Sequence, residues 1–318
     1  MKLKYFLLAA VAMVTVACSE DDLESESIFH DNAVVEQNDF DRWLKVNYVD
    51  SFNIMFKYKF EFKESDKDYN LAPADYDKAV ALAKLTKYMW LESYKSVMGL
   101  DFIRTYCPKV MHLVGSPAYN EDGSIVLGTA EGGMKITLYN VNNLDLDKLD
   151  LELLNKWYFH TMHHEFAHIL HQTKNYPTEF NEVTKDSYQS NSWVNLKDSV
   201  TAWQMGYITP YASMETQEDF VEILSTYITS TQAYWDYVLE RADPSWLDKS
   251  EHPLMEEYAS FTVGVNGKQA ITQKLEIVRE WLKTAWGVDI DDLRAEVLYR
   301  SQHFRELDLK DISIKEDK

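Results

Sequence analysis

The chain has 318 residues, 46% of them apolar, enough for one large domain or two small ones with a sizeable core. Its formal charge of −20 should repel nucleic-acid phosphates and anionic lipid head groups, so no nucleic-acid partner is expected.

The N-terminus reads "MKLKYFLLAAVAMVTVACSEDD". Lys2 and Lys4 precede an apolar run too short to span a bilayer, as in an export signal. The run ends in Val16-Ala17-Cys18 and resembles a bacterial lipoprotein signal, although Thr15 stands where that signal carries leucine. The resemblance implies a signal peptide over 1–17 and a lipidated Cys18 anchoring the mature chain to the outer membrane at the cell surface. An ordinary cleaved signal is the alternative. Cys107 is then the only other cysteine, so no intramolecular disulfide is expected. Residues 18–39, which include the acidic "SEDDLESES", read as a solvated flexible tether.

From about Phe40 the pattern predicts folded structure. "FDRWLKVNYVDSFN" has helical spacing, and 53–62 alternates apolar with charged residues as a strand does. A long helix is predicted over 75–98 and a buried strand over 109–115. "SIVLG" and "MKITLYN" read as a hairpin joined by the turn "TAEGG". Another helix covers about 150–173, and the chain beyond Pro177 reads as mostly helical, with helices at 217–241, 268–286 and 289–304. This order predicts an α+β fold over 40–318, in which an N-terminal lobe (40–173) carries a small mixed sheet and the histidine helix. A mostly helical C-terminal lobe (174–318) comes after it.

The stretch "HHEFAHILHQ", 163–172, holds four of the nine histidines. At about 100° per residue, His160, His168 and His171 fall within about 40° of His164, while Phe159, Met162, Phe166, Ile169 and Leu170 cluster opposite. Random enrichment would have scattered the imidazoles. His164-Glu165-x-x-His168 places two imidazoles one turn apart, so both can reach one Zn²⁺, which suits a single catalytic ion. Glu165, next to the first imidazole, lies where a general base can take a proton from the attacking water. His171 lies about 10.5 Å along the axis from His164, so it is expected to line the cleft or orient a ligand histidine rather than bind metal. The longer signature with a glycine and a third histidine is absent, since 172–179 contain neither.

A third ligand is expected in "YASMETQEDFVEILSTYI", 211–228. Glu218 and Glu222 are four apart on one face of an apolar helix, a costly arrangement unless a positive group meets them. Glu218 would ligate zinc and Glu222 would support a ligand histidine. The alternative has Glu218 and Asp219 merely facing water near a helix N-terminus.

Together His164-Glu165-x-x-His168 and Tyr211-x₆-Glu218-Asp219-Phe220-Val221-Glu222 resemble zincin metallopeptidases of the gluzincin type. That resemblance implies a zincin-like fold, Glu218 as zinc ligand and Tyr211 as oxyanion donor, with Tyr207 as a substitute. With the export signal, the motifs resemble the zinc-binding metallopeptidase lipoproteins associated with bacterial outer-membrane nutrient-uptake systems, which implies an uptake complex as partner. The expected activity is Glu165-assisted hydrolysis of a peptide or protein laid along an edge strand within 124–139. The alternative is a non-catalytic binding or assembly subunit of such a complex. In that reading the zinc site is structural or vestigial, and aromatic clusters such as "YMWLESY" and "QAYWDYV" serve as sugar platforms.

Overall fold

A computed structural model describes residues 37–314 except 62, 64, 66, 121–124, 127, 132 and 133. The expected signal peptide and nearly all of the expected tether lie outside the described residues. Helix α1 (Asp39–Leu44) starts with two acids in its first turn, where negative charge suits the helix dipole, and buries Phe40, Trp43 and Leu44. It continues as a π-wound stretch, Lys45–Asp50. Strand β1 (Met55–Lys57) is next and is much shorter than the alternation over 53–62 predicts. Ile54, Phe56 and Tyr58 are buried as expected. The chain leaves the sheet after Lys57, however, because the Tyr58 hydroxyl donates to Asp41 at 3.0 Å and Lys59 pairs with the same carboxylate at 2.8 Å.

Asp75 caps helix α2 (Tyr76–Leu85) by accepting from the Lys78 amide. The helical path runs on through π-wound Thr86–Leu91 and Glu92–Met98, matching the predicted 75–98. Strands β2 (Val110–Leu113), β3 (Ala118–Tyr119), β4 (Ile125–Val126), β5 (Gly128–Glu131) and β6 (Lys135–Leu138) come next. The main sheet has the order β1-β2-β6-β5, with β5 antiparallel to β6 and the other pairs parallel. The predicted hairpin is therefore β5–β6, but Thr129–Glu131, expected in its turn, pair with Thr137–Lys135 instead. Residues 132 and 133 of that turn lie outside the described residues. Ile125–Val126 pair with β3 in a separate ribbon.

Asp150 caps Leu151–Leu154, a π-wound Asn155–Phe159 extends it, and helix α3 (His160–Thr173) completes the predicted 150–173. Among the described residues the predicted helix 217–241 is two: α4 (Thr216–Thr229) and α5 (Gln232–Arg241). The Thr231 side chain accepts from the Tyr234 amide, and Arg294 donates to the Ser230 carbonyl at 2.8 Å. Those bonds make a new N-cap more favourable than continued helix. Helices α6 (Gly267–Trp286) and α7 (Ile290–His303) fall where periodicity predicts.

One buried apolar cluster runs from Phe40 to Phe304 and encloses α3, whose Met162, Phe166 and Ala167 are fully buried. Phe166 is ringed by Trp90, Tyr94 and Phe102. The edge strand β5 crosses close to α3 at Gly128, where an added Cβ would stand 2.7 Å from the Thr161 Cγ2. No helix among the described residues is long and apolar enough to cross a membrane.

Candidate metal centre

With its apolar face locked in the core, α3 turns its imidazole stripe toward α4. His164 Nε2 and His168 Nε2 are 3.2 Å apart. Glu218 Oε2 lies 3.1 Å from the first and 3.3 Å from the second. For an ion with bonds of about 2.0–2.1 Å, tetrahedral ligand pairs are separated by about 3.3–3.4 Å, so this triangle has the right size. His164, His168 and Glu218 thus form a group able to hold a metal ion.

The far side of each imidazole is engaged. Glu222 Oε1 sits 2.7 Å from His164 Nδ1 and 2.9 Å from His160 Nε2, while its Oε2 accepts from the Thr209 hydroxyl at 2.6 Å. Glu222 is buried and fully used. A carboxylate accepts only, so His164 Nδ1 carries a proton and donates it. His168 Nδ1 lies 3.0 Å from His171 Nε2. Burial lowers the His171 pKa to about 4, which keeps that ring neutral and able to accept from His168. Both inner Nε2 atoms then present lone pairs toward a carboxylate oxygen. Three acceptors that close are stable only with positive charge among them, either a proton or a metal ion. In the metal-free protein burial opposes charge on His164, yet hydrogen bonds to Glu218 and Glu222 lift its pKa to about 10. Burial likewise works against the Glu218 carboxylate, but His164 and His168 hold it down at about 2.

Glu165 is partly exposed on the same helix, one residue beyond His164. Burial raises its carboxyl pKa, while the imidazoles of His164 and His168 work the other way. Tyr211 begins a short 3₁₀ turn, Tyr211–Ser213, with its ring centroid 5.8 Å from that of His164. Burial, the charge of Glu218 and a hydrogen bond to that carboxylate hold its phenol well above the ordinary value. Tyr207, the alternative donor, is fully buried elsewhere, with its hydroxyl 3.1 Å from the Thr184 carbonyl and 2.8 Å from the Ser187 hydroxyl.

Three features go beyond the sequence-based expectations. His160 is on the stripe, one turn before His164, and its pairing with Glu222 was legible from that spacing. Thr209 gave no signal. Asp219, expected in one alternative to face water, is fully buried against Lys274, with Oδ2 and Nζ 2.5 Å apart. Of the aromatic clusters offered as sugar platforms, "YMWLESY" is largely core, with Trp90 and Tyr94 buried. In "QAYWDYV", Trp235 is buried but Tyr234 and Tyr237 are exposed, the Arg241 guanidinium covering one face of Tyr237 at 3.4 Å.

A family model described as "putative zinc-binding metallo-peptidase" matches residues 33–291. The chain is also similar to a crystal structure of a protein from Bacteroides caccae ATCC 43185, described in the same words. The two are 40% identical, the match covers 89% of this chain and 99% of that one, and the TM-score is 0.70. No curated protein matches.

Proposed function

The chain belongs to this family of zinc-binding metallo-peptidases, and from that premise we propose that it is a zinc-dependent hydrolase of peptide bonds. The observation that carries the proposal is the convergence of His164 Nε2, His168 Nε2 and Glu218 Oε2 at 3.1–3.3 Å, with the outer imidazole nitrogens already engaged. In this reading those three residues hold one Zn²⁺, and Glu222 and His171 fix the tautomers of His164 and His168. Zinc, when bound, supplies Lewis-acid polarisation of the scissile carbonyl and lowers the pKa of water toward neutrality.

The rest is done by side chains. Glu165, its basicity raised by burial, takes the proton of the attacking water and delivers it to the leaving amine. Tyr211, whose ring stands against His164, donates to the developing oxyanion. Strand β5, the antiparallel edge beside α3, offers backbone groups along which an extended peptide can pair. Glu165→Gln should keep one zinc per chain and abolish turnover of a mixed peptide library; retained hydrolysis would refute the base assignment.

The proposal includes a location. Lys2, Lys4, the apolar run and Val16-Ala17-Cys18 support a lipid anchor at Cys18 on the outer-membrane surface, with the expected tether ending before Asp39, where helix α1 begins. A nutrient-uptake complex is then the expected neighbour. Cys18→Ser should abolish fatty-acid labelling in the native host; undiminished labelling would rule out the anchor.

A further inference from the structure

A partly exposed indole stands at the edge of the metal centre on a segment that is unusually well fixed. Trp193 lies in the 3₁₀ stretch Ser190–Asn195, none of whose residues is buried. An exposed segment without periodicity would ordinarily be mobile. Here Ser190 adopts φ 47°, a left-handed conformation that non-glycine residues seldom take unless their surroundings impose it. The surroundings do so. The amides of Gln189 and Ser190 donate to the carbonyls of Ser213 and Met214 at 2.6 and 3.1 Å, tying the segment to the turn that carries Tyr211. The hydroxyl of buried Tyr258 donates to the Ser192 carbonyl at 3.0 Å.

These bonds bring the indole edge-to-face against Tyr211, with centroids 4.8 Å apart and planes at 75°, and Tyr211 in turn stands against His164. Among the described residues Trp193 has no other ring contact, and part of its surface faces solvent. Trp90 and Trp281 are buried in the core cluster, and the partly buried Trp157 and Trp286 pack against it, whereas Trp193 packs on the Tyr211 ring and keeps an open surface. A strained, multiply tethered backbone presenting an open aromatic surface next to the reacting centre is the arrangement of a preorganised side-chain subsite.

We propose that Trp193 is the aromatic wall of the subsite for a substrate residue flanking the scissile bond, and that this residue is preferentially large and apolar or aromatic. The inference rests on the metallopeptidase reading and specifies its substrate class. Apolar and edge-to-face contact with the indole would give that preference, and hydrophobic subsites discriminate between large and small side chains by about tenfold or more.

The test measures binding rather than turnover. Two peptide hydroxamates, differing only in a benzyl or methyl side chain beside the metal-binding group, are titrated into zinc-loaded wild type, Trp193→Phe and Trp193→Ala, with zinc content measured for each. The benzyl compound should bind wild type at least about tenfold more tightly, Trp193→Phe should keep most of that ratio, and Trp193→Ala should reduce it below about threefold. No preference in wild type, or an unchanged ratio in Trp193→Ala, overturns the assignment. Failure of both compounds to bind the zinc-loaded wild type would overturn the metallopeptidase reading itself, and the subsite with it.

Discussion

Lys274→Met should destabilise the zinc-free protein by about 3–5 kcal/mol, because it strands a buried carboxylate. Asp219 and Lys274 are both fully buried, and Oδ2 receives the ammonium at 2.5 Å and the Tyr188 hydroxyl at 2.8 Å. The ammonium also donates to the Gly206 carbonyl at 2.8 Å and lies 4.3 Å from the Tyr207 ring centroid. Asp219 Oδ1 has no hydrogen-bond partner among the described residues, so little else offsets its charge. Burial already raises the Asp219 pKa and lowers that of Lys274. Without the cation Asp219 rises further, and a carboxyl raised above its unfolded value destabilises the fold at pH above that value. The penalty should therefore be larger at pH 8 than at pH 5, as read by urea unfolding under circular dichroism. Replacing Asp219 by Leu as well should recover at least about half of the loss, since the stranded charge goes with it. A single-variant loss under about 1 kcal/mol, or one independent of pH, would refute the reasoning.

Glu222→Ala should lower zinc affinity by about 10–100-fold, through loss of the His164 support, and Glu218→Ala should lower it further; a chelator competition assay reads both. With His164 lifted to about 10, zinc uptake at neutral pH must displace a proton. Affinity should rise about tenfold per pH unit above pH 7 and level off above about pH 10, with about one proton released per ion by calorimetry in two buffers. Without metal, the same raised pKa stabilises the fold fully below the ordinary value of 6.5, and that contribution fades as pH rises through about 10. Alkaline unfolding of the zinc-free protein, relieved by zinc, checks the sign.

The histidine stripe and the Glu218–Glu222 pair were legible because helical period alone sorts their side chains onto shared faces. The same logic located α6 and α7. What escaped was set by tertiary partners. Alternation continues to Tyr58, yet Asp41 draws the chain out of the sheet after Lys57. Helical spacing spans 217–241, yet Thr231 gains more as a cap. The alternative that sets Asp219 facing water fails because Lys274, far along the chain, lies buried beside it. Trp193 sits on a 3₁₀ segment with no period to read, and its place depends on bonds to Ser213, Met214 and Tyr258.

Anomalous diffraction at the zinc edge, from zinc-loaded crystals, tests the central claim most directly. One strong peak is expected about 2.0–2.1 Å from His164 Nε2, His168 Nε2 and Glu218 Oε2. A peak instead at the neighbouring group of His160, His164 and Glu222, or none near either group, would contradict it.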